Sequence, residues 1–234
     1  MRSLGNGGLA IVIGSSGGIG SAVSRALADS GSFEEVMDFS RSSEPALDLL
    51  DEASIERAAQ AAKAAGPEIR LVFDATGFLH GGSFGPEKSL SAIEPGHMAH
   101  AFAINAAGPA LLMKHFLPLL PRTGKSVFAT LSARVGSIGD NGLGGWYSYR
   151  ASKAALNQFV HSAAIELKRR APEAVCVALH PGTVDTGLSG GFAKQGLEVR
   201  QPAEAAALLI DVIDGLSADQ SGGFFDYGGA PVPW

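Results

Sequence analysis

The chain has 234 residues, a length that suits one large α/β domain and allows a sizeable core without disulfides or a structural metal. Its formal net charge of −5 offers no basic field for nucleic acid, and its single cysteine excludes an internal disulfide. No apolar stretch approaches the roughly 20 residues of a membrane helix. The apolar run before Gly14 is too short for the core of a signal peptide, so we expect a cytoplasmic protein.

Short β-rich runs alternate with longer segments of helical spacing along the chain. Several runs are apolar on both faces, as strands are when helices cover both sides of a parallel sheet. The alternation predicts a single-domain α/β fold, a doubly wound Rossmann-type parallel sheet with helices on both faces and a ligand at the carboxyl ends of the strands. The predicted strands are Leu9–Ile13, Glu35–Ser40, Ile69–Asp74, Ser126–Leu131 and Val175–Leu179, and the predicted helices are Ile19–Ser30, Ser54–Ala65, His97–Leu120 and Tyr147–Arg169.

A glycine-rich run, residues 14–20, follows the first predicted strand. Glycines at Gly14, Gly18 and Gly20 permit a tight turn, the close approach of a pyrophosphate and close packing of helix on strand. The helix that follows adds backbone N–H groups and the positive end of its dipole. Because the run lies at the first strand–helix junction, we interpret it as a phosphate-binding loop of a dinucleotide site. The alternative is a purely structural glycine turn.

The end of the second predicted strand bears on which nicotinamide dinucleotide is expected. An acidic residue there would bind the ribose 2′-hydroxyl and repel a 2′-phosphate, whereas an arginine would accept that phosphate. The segment Gly31–Glu35 is longer than a minimal turn, which places Asp38 inside the strand and Ser40 and Arg41 at its tip. We therefore expect NADP(H) to be preferred over NAD(H). The alternative is that Arg41 is solvated and Asp38 decides.

Tyr149 and Lys153 are four residues apart in a predicted helix, so their side chains share one face. A free tyrosine has a pKa near 10, too high for acid–base chemistry at neutral pH, and a neighbouring cation favours the phenolate. Lys153 can also hold the nicotinamide ribose. We therefore predict a catalytic pair, with a packed tyrosine beside a solvated lysine as the alternative. Tyr147 is excluded from this role because Ala151 stands four residues after it.

These motifs occur together in an order that is typical of one enzyme family. They are Gly14-x-x-x-Gly18-x-Gly20, Asn105, Tyr149-x-x-x-Lys153 and Pro181-Gly182-Thr183. The chain resembles single-domain short-chain dehydrogenases/reductases over nearly its whole length. More narrowly, it is similar to the carbonyl-reductase and C-factor-like branch at residues 104–109, 179–186 and 221–227.

The resemblance implies a role for each matching residue. Tyr149 would donate a proton to the substrate oxygen while hydride arrives from the nicotinamide, Lys153 would lower the tyrosine pKa, and a water held at Asn105 would complete a proton relay. Asp48 with Leu49 would contact the adenine, and Val184 with Thr186 would meet the nicotinamide amide and the pyrophosphate. The expected cofactor-binding residues are Gly14, Ser16, Gly18, Ile19, Gly20, Ser40, Arg41, Asp48, Leu49, Ala75, Thr76, Gly77, Tyr149, Lys153, Pro181, Gly182, Val184 and Thr186.

In three places the sequence departs from the family's pattern. The usual Asn-Asn-Ala-Gly after the third strand reads Asp74-Ala75-Thr76-Gly77, which retains the glycine. Ala133 stands where the substrate-polarising serine is usual; we expect Ser132, one residue earlier, to take that role, with Ser137 as the alternative. Residues 186–200 are predicted to form a short glycine-rich substrate lid, which favours a broad substrate range.

The sequence predicts an NAD(P)-dependent oxidoreductase that reduces aldehyde or ketone carbonyls. Its catalytic residues would be Asn105, Ser132, Tyr149 and Lys153. A nicotinamide-binding regulatory or signalling protein with little catalysis is the first alternative, motivated by the unusual serine segment. A sugar-nucleotide epimerase is the second, although that activity usually needs a larger substrate-binding region.

The expected partner is a small-molecule carbonyl or alcohol, with no nucleic acid and no membrane. His97 and His100 share a helix face, but no third ligand stands nearby and the proposed chemistry needs no metal. The long helical segments at 97–120 and 147–169 could pair subunits in a homodimer or homotetramer, with a monomer as the alternative.

Overall fold

The computed structural model of the chain describes residues 1, 3–4, 7–82, 84–188 and 198–234. In these ranges a six-stranded sheet carries helices on both faces, and two short strands form a second ladder. The strands are β1 (Leu9–Ile13), β2 (Glu35–Phe39), β3 (Ile69–Asp74), β4 (Ser126–Leu131), β5 (Ala174–His180), β6 (Thr183–Val184), β7 (Val199–Arg200) and β8 (Phe224–Asp226). The helices are α1 (Gly18–Ser30), α2 (Glu52–Ala64), α3 (Pro95–Phe102), α4 (Gly108–Phe116), α5 (Tyr147–Arg170) and α6 (Pro202–Gly215).

The large sheet has the strand order β2-β1-β3-β4-β5-β8, and every pairing in it is parallel. This confirms the predicted doubly wound α/β fold. The strand order runs outward in opposite directions from β1 and β3, so a crevice opens between them at the carboxyl edge. The loops that follow the strands meet along that edge.

Side chains of each strand alternate between two apolar layers. Leu9, Ile11 and Ile13 of β1 pack with residues of α2, α4 and α5, whereas Ala10 and Val12 pack with α1 and α6. All five side chains are completely buried. Because helices cover both faces of the sheet, strands such as β1 are apolar throughout.

The predicted helical segment at 97–120 is confirmed as one continuous run of helical backbone, but it is not a regular α-helix throughout. The structure divides this segment into α3, a π-helical turn at Ala103–Ala107, α4 and a 3₁₀ turn at Leu117–Leu119. Pro109 explains the interruption, since it lacks the N–H group that an α-helix would donate to the carbonyl of Asn105. The break therefore falls on a residue that the sequence had placed in the site.

Three features complete the fold around these predicted elements. α6 packs beside α1, and β8 extends the sheet beyond β5; no element was predicted for either segment. β6 and β7 pair at the two ends of the predicted substrate lid, but residues 189–197 of that lid lie outside the described residues. In the part of the chain that the structure describes, no helix combines the length and the hydropathy that a bilayer crossing requires.

Candidate active site

A cleft of about 730 Å³ opens along the carboxyl edge of the sheet. Its lining begins at the loop between β1 and α1, passes the ends of β3 and β4, and continues to α5 and the turn after β5. The glycine-rich loop and the predicted catalytic pair thus line the same cavity. The expected site residues that line it are Ser16, Gly18, Ile19, Ala75, Thr76, Gly77, Ser132, Tyr149, Lys153, Pro181, Gly182, Val184 and Thr186.

The loop before α1 is shaped by the absence of side chains. Gly14 has a φ of +82°, in the left-handed region that favours glycine. A Cβ on Gly20 would lie 2.2 Å from the carbonyl oxygen of Gly14, and a Cβ on Gly18 would lie 2.8 Å from Cγ2 of Thr186. The N-cap residue, Gly17, makes no side-chain hydrogen bond to α1, so the first N–H groups of the helix are left for a ligand. This cradle fits the pyrophosphate of a dinucleotide.

Lys153 is buried beside the loop that follows β3. Its Nζ donates to the carbonyl oxygen of Leu131 at 2.8 Å. A Cβ placed on Gly77 would lie 3.6 Å from that Nζ and 3.8 Å from Oδ1 of Asn105, so three expected site residues meet here. Burial lowers the pKa of Lys153 to about 8, while the charge of Asp74 acts in the opposite direction. The ammonium of Lys153 therefore loses its proton only slightly above neutral pH.

Tyr149 lies one turn before Lys153 on α5 and is 9% exposed. Its ring meets the ring of Trp146 edge-on, with centroids 6.2 Å apart. Burial raises the pKa of Tyr149 to about 12, opposite to the lowering that the spacing of the pair predicts. Desolvation is the cause of this rise, and Nζ of Lys153 donates to a backbone carbonyl instead. The phenol is therefore neutral at physiological pH and able to donate a proton.

Asn105 occupies the π-helical turn between α3 and α4 and is completely buried. Its Oδ1 accepts the N–H of Phe78 at 2.7 Å, and its Nδ2 donates to the carbonyl of Phe78 at 2.8 Å and to Oγ of Ser152 at 3.1 Å. The side chain ties the loop after β3 to α5. Its amide is thus engaged inside the protein, and the water relay expected at Asn105 stays a prediction.

Asp74, where the family has asparagine, is completely buried at the end of β3. Its Oδ1 accepts the N–H and the Oγ1 hydroxyl of Thr76 at 3.0 and 2.6 Å, and its Oδ2 accepts the hydroxyl of Thr130 at 2.7 Å. Burial raises the pKa of Asp74, against the opposing effect of these hydrogen bonds and of Lys153. The carboxyl group thus braces the cofactor-side loop and acts electrostatically on Lys153.

The hydroxyl groups of both candidate serines are engaged inside the protein. Ser132 lines the cleft, but its Oγ donates to Oδ1 of Asn157 at 2.7 Å. Ser137 is buried, and its Oγ accepts the N–H of Asp140 at 3.0 Å. Ala133 lines the cleft without a hydroxyl. The substrate-polarising role predicted for Ser132 is not tested by these contacts, but the bond to Asn157 favours a structural role.

A smaller cleft of about 370 Å³ lies where the glycine-rich loop meets the end of β2. Asp38 lies inside β2 and Ser40 follows it, as predicted, and both line this cleft. Arg41 is exposed and is not among the described lining residues. Oδ2 of Asp38 accepts the hydroxyl of Ser24 at 2.7 Å. The carboxylate of Asp38, the residue favoured by the alternative prediction, therefore lines this cleft, whereas Arg41 is not among its described lining residues.

Sequence reasoning missed Arg25, which supplies a guanidinium to the smaller cleft. Ser21, Ser24 and Arg25 all line it, and their i, i+3, i+4 spacing puts them on one face of α1. That spacing, counted from the glycine-rich loop, was the available signal. Two other predicted cofactor residues, Asp48 and Leu49, are not among the described lining residues of either cleft.

Asp48 and Leu49 make structural contacts instead. Oδ1 of Asp48 accepts the N–H of Leu50 at 2.9 Å, and the N–H of Asp48 donates to Oγ of Ser54 at 2.9 Å. Leu49 packs closely on α4, since a Cβ placed on Gly108 would lie 2.8 Å from the Cβ of Leu49. Their predicted contact with adenine stays a prediction.

Three further ionisable residues, Arg134, Arg150 and His180, line the main cleft, and no motif assigned them a role there. Nε of Arg134 pairs with Oδ2 of Asp140 at 2.8 Å, and Nε of Arg150 donates to the carbonyl of Gly145 at 3.0 Å. Burial lowers the pKa of His180 to about 4, and the charge of Arg134 acts in the same direction. The imidazole of His180 is therefore neutral at physiological pH. The positions of these three side chains depend on how the loops pack, which local sequence patterns do not predict.

The two histidines of α3 lie beside a carboxylate and an aromatic ring. Nδ1 of His97 lies 3.3 Å from Oε1 of Glu87, and the His100 ring meets the Phe78 ring edge-on. Among the described residues, no group of three or more possible ligands is arranged to hold a metal ion.

Comparison with known proteins agrees with this geometry. A family model described as enoyl-(acyl carrier protein) reductase matches residues 13–213. The chain belongs to the short-chain dehydrogenase/reductase family. The matched range includes the glycine-rich loop from Gly14, the Tyr149/Lys153 pair and α6 almost to its end.

Two curated relatives of this short-chain dehydrogenase/reductase differ in their names. C-signal of Myxococcus xanthus is 40% identical over 148 residues, which cover 62% of this chain and 84% of that protein. The 1-hydroxy-2-glutathionyl-2-methyl-3-butene dehydrogenase of Rhodococcus sp. (strain AD45) is 31% identical over 236 aligned positions, which cover 96% and 98%.

Solved structures of similar fold include two carbonyl reductases. The NADPH-bound enzyme from chicken fatty liver superposes with a TM-score of 0.83 at 25% identity and covers 98% of this chain and 100% of its own. Sniffer of D. melanogaster superposes with a TM-score of 0.81 at 23% identity, covering 97% and 99%. This protein is thus an oxidoreductase of the short-chain dehydrogenase/reductase type.

Proposed function

We propose that this protein reduces the carbonyl group of an aldehyde or ketone, with NADPH as hydride donor and Tyr149 as proton donor. The observation that carries the proposal is that the glycine-rich loop and the Tyr149/Lys153 pair line one cleft. The loop fits a pyrophosphate, and the pair stands at the other end of the lining. A bound nicotinamide supplies the hydride that the carbonyl carbon accepts.

The protonation states of the pair suit reduction. With its pKa raised to about 12, Tyr149 is a neutral phenol that can give its proton to the developing alkoxide. The phenolate that remains is buried, and we propose that the ammonium of Lys153, which lines the same cleft one turn further along α5, is the cation that stabilises it during the reaction. Asn105 holds the adjoining loop in place through its two hydrogen bonds to the backbone of Phe78.

The walls beside Tyr149 favour an apolar substrate. Val135, Leu143 and Trp146 line the cleft on that side, and all belong to the segment between β4 and α5. A carbonyl compound with an apolar substituent would bury that substituent there. Names of the relatives agree with this class, since the chicken and Drosophila proteins are carbonyl reductases.

NADPH is proposed over NADH on two grounds. Arg25 and Ser40 line the cleft at the end of β2, where a guanidinium and a hydroxyl would bind a 2′-phosphate. The chicken enzyme has NADPH bound, and a short-chain dehydrogenase/reductase from Burkholderia multivorans, also 25% identical to this chain, has NADP bound. Asp38 is the opposing feature, but its carboxylate already accepts a hydrogen bond from Ser24.

The test is the oxidation of NADPH and of NADH with a panel of aldehydes and ketones. We expect turnover with NADPH, and Tyr149→Phe is expected to lower kcat by at least about 100-fold, because the proton donor is lost. Tyr147→Phe is the matched control, since this tyrosine lies two residues away and is not among the described lining residues of the cleft; it should change kcat by less than about twofold.

The same assay tests the cofactor proposal. Arg25→Ala should raise KM for NADPH by about tenfold and leave KM for NADH nearly unchanged, because only NADPH carries the 2′-phosphate. Equal KM changes for both dinucleotides would contradict the assignment of Arg25. Turnover that survives in Tyr149→Phe would refute the tyrosine mechanism.

A second candidate function has its own observation. C-signal, a relative at 40% identity, is named for signalling, and Ala133 leaves the usual position of the polarising serine without a hydroxyl. A nicotinamide-binding signalling protein would bind NADPH tightly and reduce none of the panel. Tight binding measured by fluorescence titration, together with no turnover, would favour this candidate over the reductase.

A further inference from the structure

Three buried polar side chains meet at the start of α5, and none belongs to a sequence motif. Glu87, His97 and Ser148 are 3%, 4% and 0% exposed. Glu87 lies in the segment between β3 and α3 and reaches Ser148 across 61 residues of chain. Because a buried carboxylate is costly unless it is fully paired, its partners indicate what it does.

Glu87 satisfies the N-terminal donors of α5 from a distant segment. α5 begins at Tyr147, and the side chain of its N-cap residue Trp146 does not cap the helix. Oε2 of Glu87 accepts the N–H of Ser148 at 3.2 Å, Oε1 accepts the Ser148 hydroxyl, and the backbone carbonyl of Glu87 accepts the N–H of Trp146 at 2.5 Å. The carboxylate also faces the positive end of the helix dipole.

The backbone at this junction is strained. Trp146 has φ 52° and ψ 42°, and among the described residues it is the one non-glycine residue with positive φ. A bulky residue keeps such a conformation only where its surroundings impose it, and such positions cluster at functional sites. Here the contact from Glu87 to the Trp146 N–H holds the turn, and the Trp146 ring then lies against Tyr149.

His97 holds Glu87 from the other side. Its Nδ1 lies 3.3 Å from Oε1 of Glu87, and its ring is stacked on Phe84 with centroids 5.1 Å apart. Burial by itself raises the pKa of Glu87, but hydrogen bonds from Ser148 and from backbone N–H groups, with the attraction of His97, leave the pKa below its ordinary value. Glu87 is therefore an anion at neutral pH.

We propose that Glu87 is a positioning residue that fixes the first turn of α5 and thereby holds Tyr149 in the cleft. The inference rests on the proposed catalytic role of Tyr149. Ser148, the partner of Glu87, directly precedes Tyr149, so any shift of its N–H displaces the phenol. A misplacement of 1 Å in a catalytic group costs up to roughly 100-fold in rate.

Loosening this turn has a second, measurable consequence. Tyr149 owes its raised pKa of about 12 to burial, so water admitted at the start of α5 would move that pKa towards the ordinary tyrosine value. Phenolate absorbance reports this directly and requires no substrate. The chain has 3 tyrosines, so subtraction of the Tyr149→Phe titration isolates Tyr149.

The experiment compares Glu87→Gln with Glu94→Gln. The first change keeps the shape of the side chain and removes its charge. The second removes the charge of an exposed glutamate that makes no side-chain cap at the start of α3. In Glu87→Gln we expect the Tyr149 titration to begin at lower pH by about one unit, kcat to fall roughly tenfold, and KM for NADPH to change by less than about twofold. Glu94→Gln should match wild type in every reading.

A second variant covers the case in which Glu87→Gln does not fold. Ser148→Ala removes one hydrogen bond and leaves the backbone contacts and the His97 pairing, so it should shift the titration and kcat in the same direction by smaller amounts. Wild-type titration and wild-type kcat in both variants would overturn the proposal. If the wild-type protein reduces no carbonyl at all, the reductase proposal fails, and the titration still decides whether Glu87 positions Tyr149.

Discussion

The main cleft has a proposed cofactor end, at the glycine-rich loop, and a proposed catalytic end, at Tyr149 and Lys153. The two ends differ in the chemical groups that they present. At the proposed cofactor end the candidate groups are the first backbone N–H groups of α1, and Gly18 and Gly20 contribute by having no Cβ. At the proposed catalytic end the candidate groups are the buried ionisable side chains of Tyr149 and Lys153, and the charge of Asp74 acts on Lys153 from the end of β3. Steric changes should therefore damage the first end, and electrostatic changes the second.

The difference also determines how each end depends on the rest of the chain. The glycine-rich loop is local, because β1 and α1 flank it directly and a Cβ on Gly20 would meet the loop's own Gly14 carbonyl, although Gly18 also lies against Thr186 from a distant segment. The catalytic end is assembled from β3, β4 and α5, which are separated by long stretches of sequence. Three substitutions, ordered by expected effect, examine this contrast.

Gly20→Ala should have the largest effect, at the cofactor end. The new Cβ would meet the Gly14 carbonyl at 2.2 Å, and a backbone atom cannot give way as a flexible side chain can. We expect the Kd for NADPH, measured by fluorescence titration, to rise by at least about 100-fold. Gly215→Ala is the control, because a Cβ there meets nothing within 4 Å. Wild-type affinity in Gly20→Ala would show that the loop does not hold the cofactor.

Asp74→Asn should have an intermediate, pH-dependent effect at the catalytic end. The Asp74 charge raises the pKa of Lys153, which burial holds at about 8. Without that charge, Lys153 loses its proton at lower pH, so the alkaline fall of kcat should begin at lower pH while the rate near pH 6 changes little. A pH–rate profile measures this, with exposed Asp211→Asn as control. An unchanged profile would mean that Asp74 carries a proton in the working range.

Ser132→Ala should have the smallest effect on rate and act mainly on stability. Its hydroxyl donates to Asn157, whose Nδ2 is already buried without a partner among the described residues. We expect the free energy of unfolding to fall by about 1–2 kcal/mol and the turnover rate to fall by less than about threefold. Exposed Ser162→Ala on α5 is the control. A roughly 100-fold slower turnover without loss of stability would instead establish Ser132 as the polarising group.

The sequence predicted local features of the protein better than contacts between distant elements. The bounds of β1, β3 and β4 agree with the predicted runs, because an apolar run between helical segments is a local signal. The helix predicted at 97–120 is present, but it contains a π-helical turn before Pro109 that hydrophobic spacing does not reveal. Arg25 was missed, although its spacing from the glycine-rich loop was readable.

The sequence by itself determined the fold class, the position of the glycine-rich loop and the Tyr149/Lys153 spacing, because the strand–helix alternation, the loop and the pair are all patterns of residues close together in the chain. Tertiary structure alone decided that Ser132 bonds to Asn157 and that Glu87 caps α5. It also decided that burial raises the pKa of Tyr149. Hydrogen-bond partners and desolvation are set by how helices pack on the sheet, and no local pattern of residues carries that information.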